Sequence, residues 1–203
     1  MSNVDEEIAR IKMQKSEAKE AVINSKESKK EEESKGKITL NEVIEGIKEG
    51  QVTIHDVTFK FKKYKYLNGK LELPLPVAYF RESINTEVNV SLLNDLYGIS
   101  FTAAYLDKVI KKQTLAEFKK GVEDNMKKSG FSLEWLDEGE IGDNNKLYYA
   151  SYKTPTARGP LYNVIFYKMK GKTCIIGNYN CAYKNIEKWE LIIKATLNFI
   201  ETK

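Results

Sequence analysis

The segment Asn178–Ile200, NYNCAYKNIEKWELIIKATLNFI, begins with a strand-like pattern and continues directly into a helix-like one. In its second half, apolar side chains recur every three to four residues, which predicts an amphipathic helix with one buried face. These apolar residues are Ile186, Trp189, Ile193, Leu197 and Ile200. The positions available for the solvent face are Lys184, Glu187, Lys188 and Lys194. We therefore expect the domain to close on a helix that packs against its core.

Four segments before this helix have the residue pattern of strands. They are Phe131 to about Ile141, Lys146 to about Thr154, Leu161 to Met169, and Thr173 to Asn180. Connections this short join antiparallel neighbours, because a parallel pair needs a long crossover. The C-terminal half therefore predicts an antiparallel sheet.

Further strands are predicted earlier in the chain. Alternation begins at Val57 and changes parity after Phe61, which we interpret as a bulge near Lys62 or Lys63. Asn68-Gly69 is a hairpin turn signal. The strands predicted after it are 71–75, 88–92 and 99–105.

Two capping boxes predict where helices begin. Thr39 with Glu42 precedes a short helix that a glycine at position 50 should end. Thr114 with Glu117 precedes a longer helix that stops at Ser129-Gly130. The apolar residues at helical spacing in the longer helix are Leu115, Phe118, Val122 and Met126.

Residues 1–37 differ in composition from the rest of the chain. They contain no aromatic residue, proline or cysteine, and nine acidic residues balance nine basic ones. Such a segment lacks the apolar surface to form a core. We interpret 4–23 as a marginal helix and 25–37, SKESKKEEESKGK, as a solvated linker. The predicted organisation is a charged helical or disordered extension with a linker at 1–37, followed by a single α+β domain at 38–203.

The order of these elements resembles the PsbP-like superfamily, which includes the photosystem lumenal subunit, DcrB-type lipoproteins and adaptor-chaperones of type VI secretion effectors. The resemblance covers 69–203. The segments that carry it are NGKLELPLPVAYF (68–80), YGISFTAAYL (97–106), TLAEFKKGVEDNMKK (114–128) and Asn178–Ile200. It implies an antiparallel β-sheet flanked by helices on both faces, and a role in docking onto other proteins without a shared active site.

Charge and hydropathy narrow the class of partner and the compartment. The formal net charge is +4, from 33 basic and 29 acidic residues, and the two signs are interleaved. This pattern disfavours a dedicated nucleic-acid binder, which concentrates its basic residues on one face. The start, MSNVDEEIARIKMQK, lacks the apolar core of a signal peptide, and no run of 18 apolar residues predicts a membrane span. We expect a cytoplasmic protein.

Residue types that support catalysis or metal binding are sparse. Cys174 and Cys181 are seven residues apart, so on one strand they point to opposite faces and are expected to be buried structural thiols. Two thiols and the single His55 are too few for a metal site. We interpret His55, beside Asp56, as a surface or structural histidine.

A cluster of acids surrounds Gly139 and Gly142, but its spacing does not match a calcium loop, so we interpret it as a solvated hairpin end. Its members are Glu134, Asp137, Glu138, Glu140 and Asp143. The sequence contains no phosphate loop, dinucleotide fingerprint or nucleophile elbow. We therefore predict no catalytic residue, no metal and no cofactor.

Lysines alternate with aromatic residues near the first hairpin. The lysines are Lys60, Lys62, Lys63, Lys65 and Lys70, and the aromatic residues are Phe59, Phe61, Tyr64 and Tyr66. This pattern is compatible with a surface for single-stranded nucleic acid. It is also typical of an edge strand that lysines protect from aggregation, which is the interpretation we favour.

Tyrosines are concentrated on the later strands, and they occupy both parities. They are Tyr148, Tyr149, Tyr152, Tyr162, Tyr167 and Tyr179. Tyrosine offers a large contact area with a polar tip, so we predict that some of these side chains form a protein-binding groove while others pack under helices. The loop 154–160 adds Arg158, whose guanidinium can make a bidentate contact.

Together these observations predict a non-catalytic cytosolic adaptor or chaperone that binds another protein, a client or an effector. A secretion or phage-tail-like delivery system is the setting that the resemblance implies. The alternatives are a nucleic-acid accessory protein that uses the lysine strand and an enzyme of an unrecognised type. Self-association as a homodimer is left open.

Overall fold

The structure is a computed structural model that describes residues 38–109, 113–143 and 145–202. The elements described below lie in one compact unit, Thr39–Lys203. The marginal helix expected at 4–23 and the linker expected at 25–37 lie outside the described residues.

The described residues form three α-helices, eleven strands and a short 3-10 turn at Tyr183–Asn185. The helices are α1 (Leu40–Glu49), α2 (Leu115–Lys128) and α3 (Ile186–Leu197). The strands are β1 (Gln51–Ile54), β2 (Val57–Tyr66), β3 (Leu71–Pro76), β4 (Arg81–Asn85), β5 (Asn89–Asn94), β6 (Ile99–Leu106), β7 (Glu134–Ile141), β8 (Leu147–Thr154), β9 (Leu161–Lys170), β10 (Thr173–Ala182) and β11 (Glu201–Thr202).

The strands form two sheets, and every pairing between neighbours is antiparallel. One sheet has the order β1-β2-β3-β11, and the other has the order β4-β5-β6-β10-β9-β8-β7. Short hairpins connect most neighbours, as the sequence predicted. The predicted α+β class with an antiparallel sheet is confirmed.

Both predicted capping boxes are present. The Thr39 hydroxyl accepts a hydrogen bond from the Glu42 backbone N–H at 3.3 Å, and the Glu42 carboxylate accepts one from the Thr39 N–H at 2.7 Å. Thr114 and Glu117 repeat this arrangement at α2, at 3.2 and 2.9 Å. Gly50 ends α1 with a φ of 87°, a left-handed conformation that favours glycine.

Helix α3 packs between the two sheets, in contact with β3 and β10. Its predicted apolar face is buried, with Trp189 only 1% exposed and Ile193 and Leu197 equally enclosed. Ile200 lies beyond the end of the helix but is also buried. The face of the seven-stranded sheet toward α3 is called the inner face below.

Helix α2 covers part of the opposite, outer face of the seven-stranded sheet. Phe118 of α2 packs into a small core with Tyr152, Ile165 and Tyr167. Helices therefore lie on both faces of this sheet, as the resemblance implied. Of the helices in the described part of the chain, none combines the length and the apolar character needed to cross a bilayer.

Two expectations for β2 are wrong. Its register with β3 runs without a shift from Phe61 opposite Pro76 to Tyr66 opposite Leu71, so there is no bulge near Lys62. The parity change needs none, because the covered face of β2 changes along the strand: Phe59 and Phe61 are buried on one face and Tyr66 on the other. Strand β2 is also not an edge strand, because it lies between β1 and β3. Among the described strands, register shifts occur in β4 and β7, the two edges of the seven-stranded sheet, where they discourage pairing with another chain.

Candidate functional site

The predicted tyrosine groove is divided by the sheet itself. Residues directly opposite one another on paired strands share a face, so the register assigns each ring to one side. Tyr148, Tyr152 and Tyr167 lie on the outer face, beside α2. The inner face carries the other three, which are Tyr149, Tyr162 and Tyr179.

Four of these six rings belong to the core. Tyr152, Tyr162, Tyr167 and Tyr179 are all buried, because α2 covers the central strands on one face and α3 covers them on the other. These four pack under the helices and are removed as candidates for the predicted groove, which leaves Tyr148 and Tyr149. Tyr148 and Tyr149 are half-buried, and they lie on opposite faces.

The buried hydroxyls have structural partners. Tyr162 Oη donates to Glu190 Oε1 of α3 at 3.3 Å, and Tyr167 Oη donates to the backbone carbonyl of Gln113 at 2.9 Å. Burial raises the pKa of Tyr167 to about 12. The half-buried Tyr148 stacks on Tyr167, with ring centroids 5.1 Å apart. These contacts hold the helices to the sheet.

Lys194 forms the most enclosed ion cluster of the described residues. Its Nζ lies 2.7 Å from Asp137 Oδ2 and 2.9 Å from Glu190 Oε1. Burial alone would lower the pKa of Lys194, but the hydrogen bonds to these two carboxylates outweigh it and raise the pKa above its usual value. Lys194 is therefore a permanent cation that ties α3 to β7, and it is unsuited to act as a base.

The lysine strand does not form a basic aromatic surface. Phe59, Phe61 and Tyr66 point into the core, so their faces are not available for stacking on bases. Lys63 pairs with Glu201 at 3.1 Å, and the ammonium group of Lys70 lies over the ring of Tyr105. The remaining aromatic residue of this segment, Tyr64, is half-buried and stacks on Tyr66.

Arg158 lies in an exposed connection between β8 and β9. The Thr156 hydroxyl accepts a hydrogen bond from the Arg158 backbone N–H at 3.3 Å and donates one to the carbonyl of Gly159 at 2.5 Å. The loop is therefore held by its own residues, and the guanidinium points to solvent without a partner among the described residues.

The remaining sequence candidates have no arrangement that supports catalysis. His55 is exposed in the turn between β1 and β2, with a φ of 46°. Cys174 and Cys181 are buried free thiols, as predicted, and burial raises their pKa values to about 11 and about 12. Thiols with such pKa values are poor nucleophiles at neutral pH. Within the ranges that the structure describes, no group of three His, Cys, Asp or Glu side chains is placed to hold a metal ion.

A surface that the sequence analysis missed lies on two loops at one end of the sheets. We call it the loop aromatic patch, and it comprises Val77, Tyr79, Phe80, Leu96 and Tyr97. Leu96 is 84% exposed, Val77 49% and Tyr97 45%. Single exposed apolar residues are ordinary, but a group of them on adjoining loops is a feature of interaction sites.

Ring contacts connect this patch to the core. Tyr97 stacks on Tyr79 with centroids 5.3 Å apart and planes inclined by 21°. Tyr79 also meets Phe80 at 5.5 Å and the buried Trp189 at 5.1 Å. The outer ring therefore rests on a column of aromatic side chains that ends in the main core.

Polar contacts fix the two loops to each other. Asn94 Nδ2 donates to the carbonyl of Tyr79 at 2.6 Å, while Asn94 Oδ1 accepts from the backbone N–H of Tyr97 at 3.1 Å. Arg81 and Asp95 add an ion pair at 3.0 Å between the same loops. Asn185, just before α3, donates to the carbonyl of Tyr97 at 3.2 Å. Contacts within the domain therefore fix the conformation of the patch without a partner.

The turn that carries Tyr79 also contains an unusual backbone conformation. Ala78 has a φ of 54°, in the left-handed region that costs a residue with a Cβ about 1 kcal/mol or more. The surrounding contacts hold this conformation. Strain of this kind concentrates at ligand contacts and switch regions, which agrees with an interaction role for the loop.

The patch gave only a weak signal in the sequence. Its residues occur as VAYF (77–80) and LYG (96–98), short apolar segments that lie between predicted strands. Apolar residues in a turn are a reason to suspect a contact surface. The stacking of Tyr97 on Tyr79 could not be inferred, because it depends on how the two hairpins pair.

Comparisons with known proteins establish the fold. No protein-family model and no curated protein matches the sequence. Among solved structures, the chain has the fold of the Ran-binding protein Mog1p of Saccharomyces cerevisiae, at a TM-score of 0.55 and 10% identity, over 71% of this chain and 96% of that one. It is similarly close to the PsbP protein CyanoP of the cyanobacterium Synechocystis, at a TM-score of 0.56 and 8% identity, over 75% and 98%.

These likenesses place the domain in the class of PsbP-like α+β folds. The predicted resemblance is thereby confirmed at the level of the fold. At identities this low, the likeness carries the architecture and does not carry a binding site.

Proposed function

We propose that this chain is a non-catalytic protein-binding adaptor and that the loop aromatic patch is its main contact surface. The observation that carries the proposal is that Leu96 is 84% and Tyr97 45% exposed, on loops that ring stacking and hydrogen bonds already hold in place. An exposed apolar group on a rigid support binds at a lower entropy cost, because its backbone is already ordered.

The chemistry of the patch fits a protein partner. Tyrosine and arginine are enriched among residues that dominate binding energy, and the patch combines Tyr97 with the neighbouring Arg81–Asp95 ion pair. Leu96, at 84% exposure, is suited to enter an apolar pocket on the partner. A partner of this kind buries the patch and leaves the ion pair at the polar rim.

The fold neighbours support the general class. Mog1p is described as Ran-binding, so this fold supports protein recognition in at least one relative. The finer assignments rest on the sequence alone: an adaptor or chaperone for a client or effector, service to a secretion or phage-tail-like system, and a cytoplasmic location. The division into an extension at 1–37 and a domain at 38–203 is part of the same proposal.

Three of the sequence-predicted contacts fit as secondary sites. Tyr148 and Tyr149 keep part of their rings accessible, and Arg158 is exposed. Because they lie on different faces and loops, one partner segment cannot cover all three. We expect them to affect binding less than the loop aromatic patch does.

The test is an affinity capture from an extract of the source organism with three forms of the full chain. The first is the natural protein, and the second carries Leu96→Ser with Tyr97→Ala. The matched control is Phe131→Ala, which removes a ring that is 50% exposed in the turn between α2 and β7. Far-ultraviolet circular dichroism establishes that all three are folded.

We expect at least one protein to be retained by the natural chain and by the control, and to fall at least tenfold with the double variant. Retention of the same proteins in the same amounts by all three forms would overturn the assignment of the patch. Equal losses in the control and the double variant would also overturn it, because the binding would then follow general surface hydrophobicity.

A further inference from the structure

A second surface lies at the C-terminal end of α1. A cleft of about 430 Å³ opens there between α1, β2, β3 and the segment after α3. This volume is within the range of about 300–1,000 Å³ that is typical of ligand sites. We call it the α1 cleft.

The walls of the α1 cleft are apolar. Ile47 and Phe61 are almost fully buried, Pro74 is buried and Phe199 is half-buried. The side chains that line it belong to regular elements or lie directly beside one, so the cleft is formed by the fold itself. An apolar side chain of a partner that entered it would gain the free energy of removal from water.

The lining of the α1 cleft also includes three lysines and no acidic residue. Lys62 has no partner among the described residues. Lys48 pairs with Glu45 at 2.7 Å and Lys63 pairs with Glu201 at 3.1 Å, with all four side chains more than half exposed. Lys63 also lies 3.7 Å from the largely buried Glu72, so Lys48 and Lys62 are the lysines most available to a partner. Exposed pairs of this kind contribute only about 0–1 kcal/mol, so a partner carboxylate can replace them at little cost.

From this combination we infer that the α1 cleft binds an acidic peptide segment of another protein, with one bulky apolar side chain in the cleft and carboxylates beside the lysines. The apolar walls explain the need for the bulky side chain, and the lysines explain the need for flanking acids. Opposite charges increase the association rate and exclude basic segments.

A nucleic acid fits this surface less well. Phosphate binding needs a track of basic groups with open aromatic faces for the bases. Phe61 is buried and its ring face is covered, so a base has no aromatic face on which to stack. An oligonucleotide is therefore included in the test as the competing outcome.

The experiment measures fluorescence anisotropy of labelled peptides with the full-length chain. The probe is Gly-Glu-Glu-Phe-Glu-Glu-Gly. One comparison peptide replaces every glutamate by glutamine, and another replaces phenylalanine by alanine. A ten-nucleotide oligothymidylate serves as the nucleic-acid probe at the same ionic strength.

Two double variants separate the cleft from general positive charge. Lys48→Glu with Lys62→Glu changes the cleft lining, whereas Lys60→Glu with Lys65→Glu makes the same change of charge on β2 outside it. A third form, Leu96→Ser with Tyr97→Ala, removes the loop aromatic patch. All three must keep the circular dichroism spectrum of the natural chain.

We expect the acidic phenylalanine probe to bind at least tenfold more tightly than either comparison peptide. The cleft variant should lose at least tenfold in affinity, and the two other variants should stay within about threefold of the natural chain. Equal binding of the glutamine peptide, equal loss in both lysine variants, or no binding of the acidic probe would each overturn the inference. Preferential, cleft-dependent binding of the oligothymidylate would assign the surface to nucleic acid.

The two proposals fail independently. Loss of probe binding in the Leu96 and Tyr97 variant would mean that the peptide binds at the loop aromatic patch, which overturns the cleft assignment only. Normal probe binding in that variant, together with loss of captured proteins, supports two separate surfaces on one domain.

Discussion

The ring of Tyr97 rests on the ring of Tyr79, with centroids 5.3 Å apart, although the two residues belong to different loops. Tyr79 lies between the exposed Tyr97 and the buried Trp189. The centroids of the Tyr79 and Trp189 rings are 5.1 Å apart. An interaction surface and the main core therefore share a side chain. Substitution of the exposed Tyr97 should therefore affect mainly binding, whereas substitution of Tyr79, which contacts the core, should also lower stability.

We expect Tyr97→Ala to change the free energy of unfolding by less than about 1 kcal/mol, because nearly half of this side chain is exposed to solvent. Tyr79→Ala should cost about 2 kcal/mol or more, since it removes the contacts to both Trp189 and Phe59. Urea unfolding followed by tryptophan fluorescence measures both values. If the two substitutions cost equal stability, or if Tyr97→Ala cost more, the inference that Tyr79 connects the patch to the core would be wrong.

Gly177 on β10 should not tolerate a side chain. A Cβ at this position would overlap the ring of Phe166, which is fully buried on the neighbouring strand. Gly177→Ala should therefore destabilise the domain by about 1–3 kcal/mol through overpacking. Thermal unfolding should show a lower midpoint without a change in the native circular dichroism spectrum.

Gly121 provides the matched control for Gly177. It lies inside α2, and a Cβ there would meet nothing within 4 Å. Gly121→Ala should stabilise the domain by about 0.5–1 kcal/mol, because alanine has the higher helix propensity. If Gly177→Ala raised the midpoint, as Gly121→Ala is expected to do, the close packing inferred at Gly177 would be wrong.

Deletion of 1–37 tests the proposed domain organisation. The deleted segment has no aromatic residue and little periodic apolar content, so we expect the melting temperature of 38–203 to stay within a few degrees. Differential scanning calorimetry of the two forms provides the comparison. A fall of more than about 10 °C would contradict a self-contained domain at 38–203.

The helices could be predicted from the sequence because their signals are local. Thr39 and Thr114 each meet a glutamate three residues later, and these pairs cap their helices as expected. The apolar spacing around Trp189 identified the buried face of α3 in the same way. In each case residues within one or two turns of a helix determine the structure.

The strand faces and the candidate site could not be predicted because they depend on distant parts of the chain. Tyr148 and Tyr149 are neighbours in sequence, and only the placement of α2 and α3 decides what covers each ring. Strand β4, Arg81–Asn85, is exposed at all five positions, so it has no apolar alternation to detect. The loop aromatic patch requires β4 and β5 to pair before Tyr97 can meet Tyr79.

The ion cluster around Lys194 should make stability depend on pH in the alkaline range. Asp137 and Glu190 hold Lys194 in its charged form, which raises its pKa above the value of about 10.4 expected in the unfolded chain. A group whose pKa is higher in the folded state contributes its full stabilisation at pH values below the pKa that it has in the unfolded chain. That stabilisation is lost as the pH rises through the folded pKa.

Lys194→Met keeps much of the packing but leaves two carboxylates facing each other without their cation. At pH 7 we expect a loss of about 1–3 kcal/mol, below the value for a fully buried pair because both carboxylates are more than a third exposed. Urea unfolding of both forms between pH 6 and pH 11 should show a constant difference up to about pH 10, and a smaller one above it. Lys120→Met, which removes an exposed lysine of α2, is the control and should differ little from the natural chain at any pH. A difference between Lys194→Met and the natural chain that grows with pH would have the wrong sign for a lysine held in its charged form. That result would mean that the cluster does not tie α3 to β7.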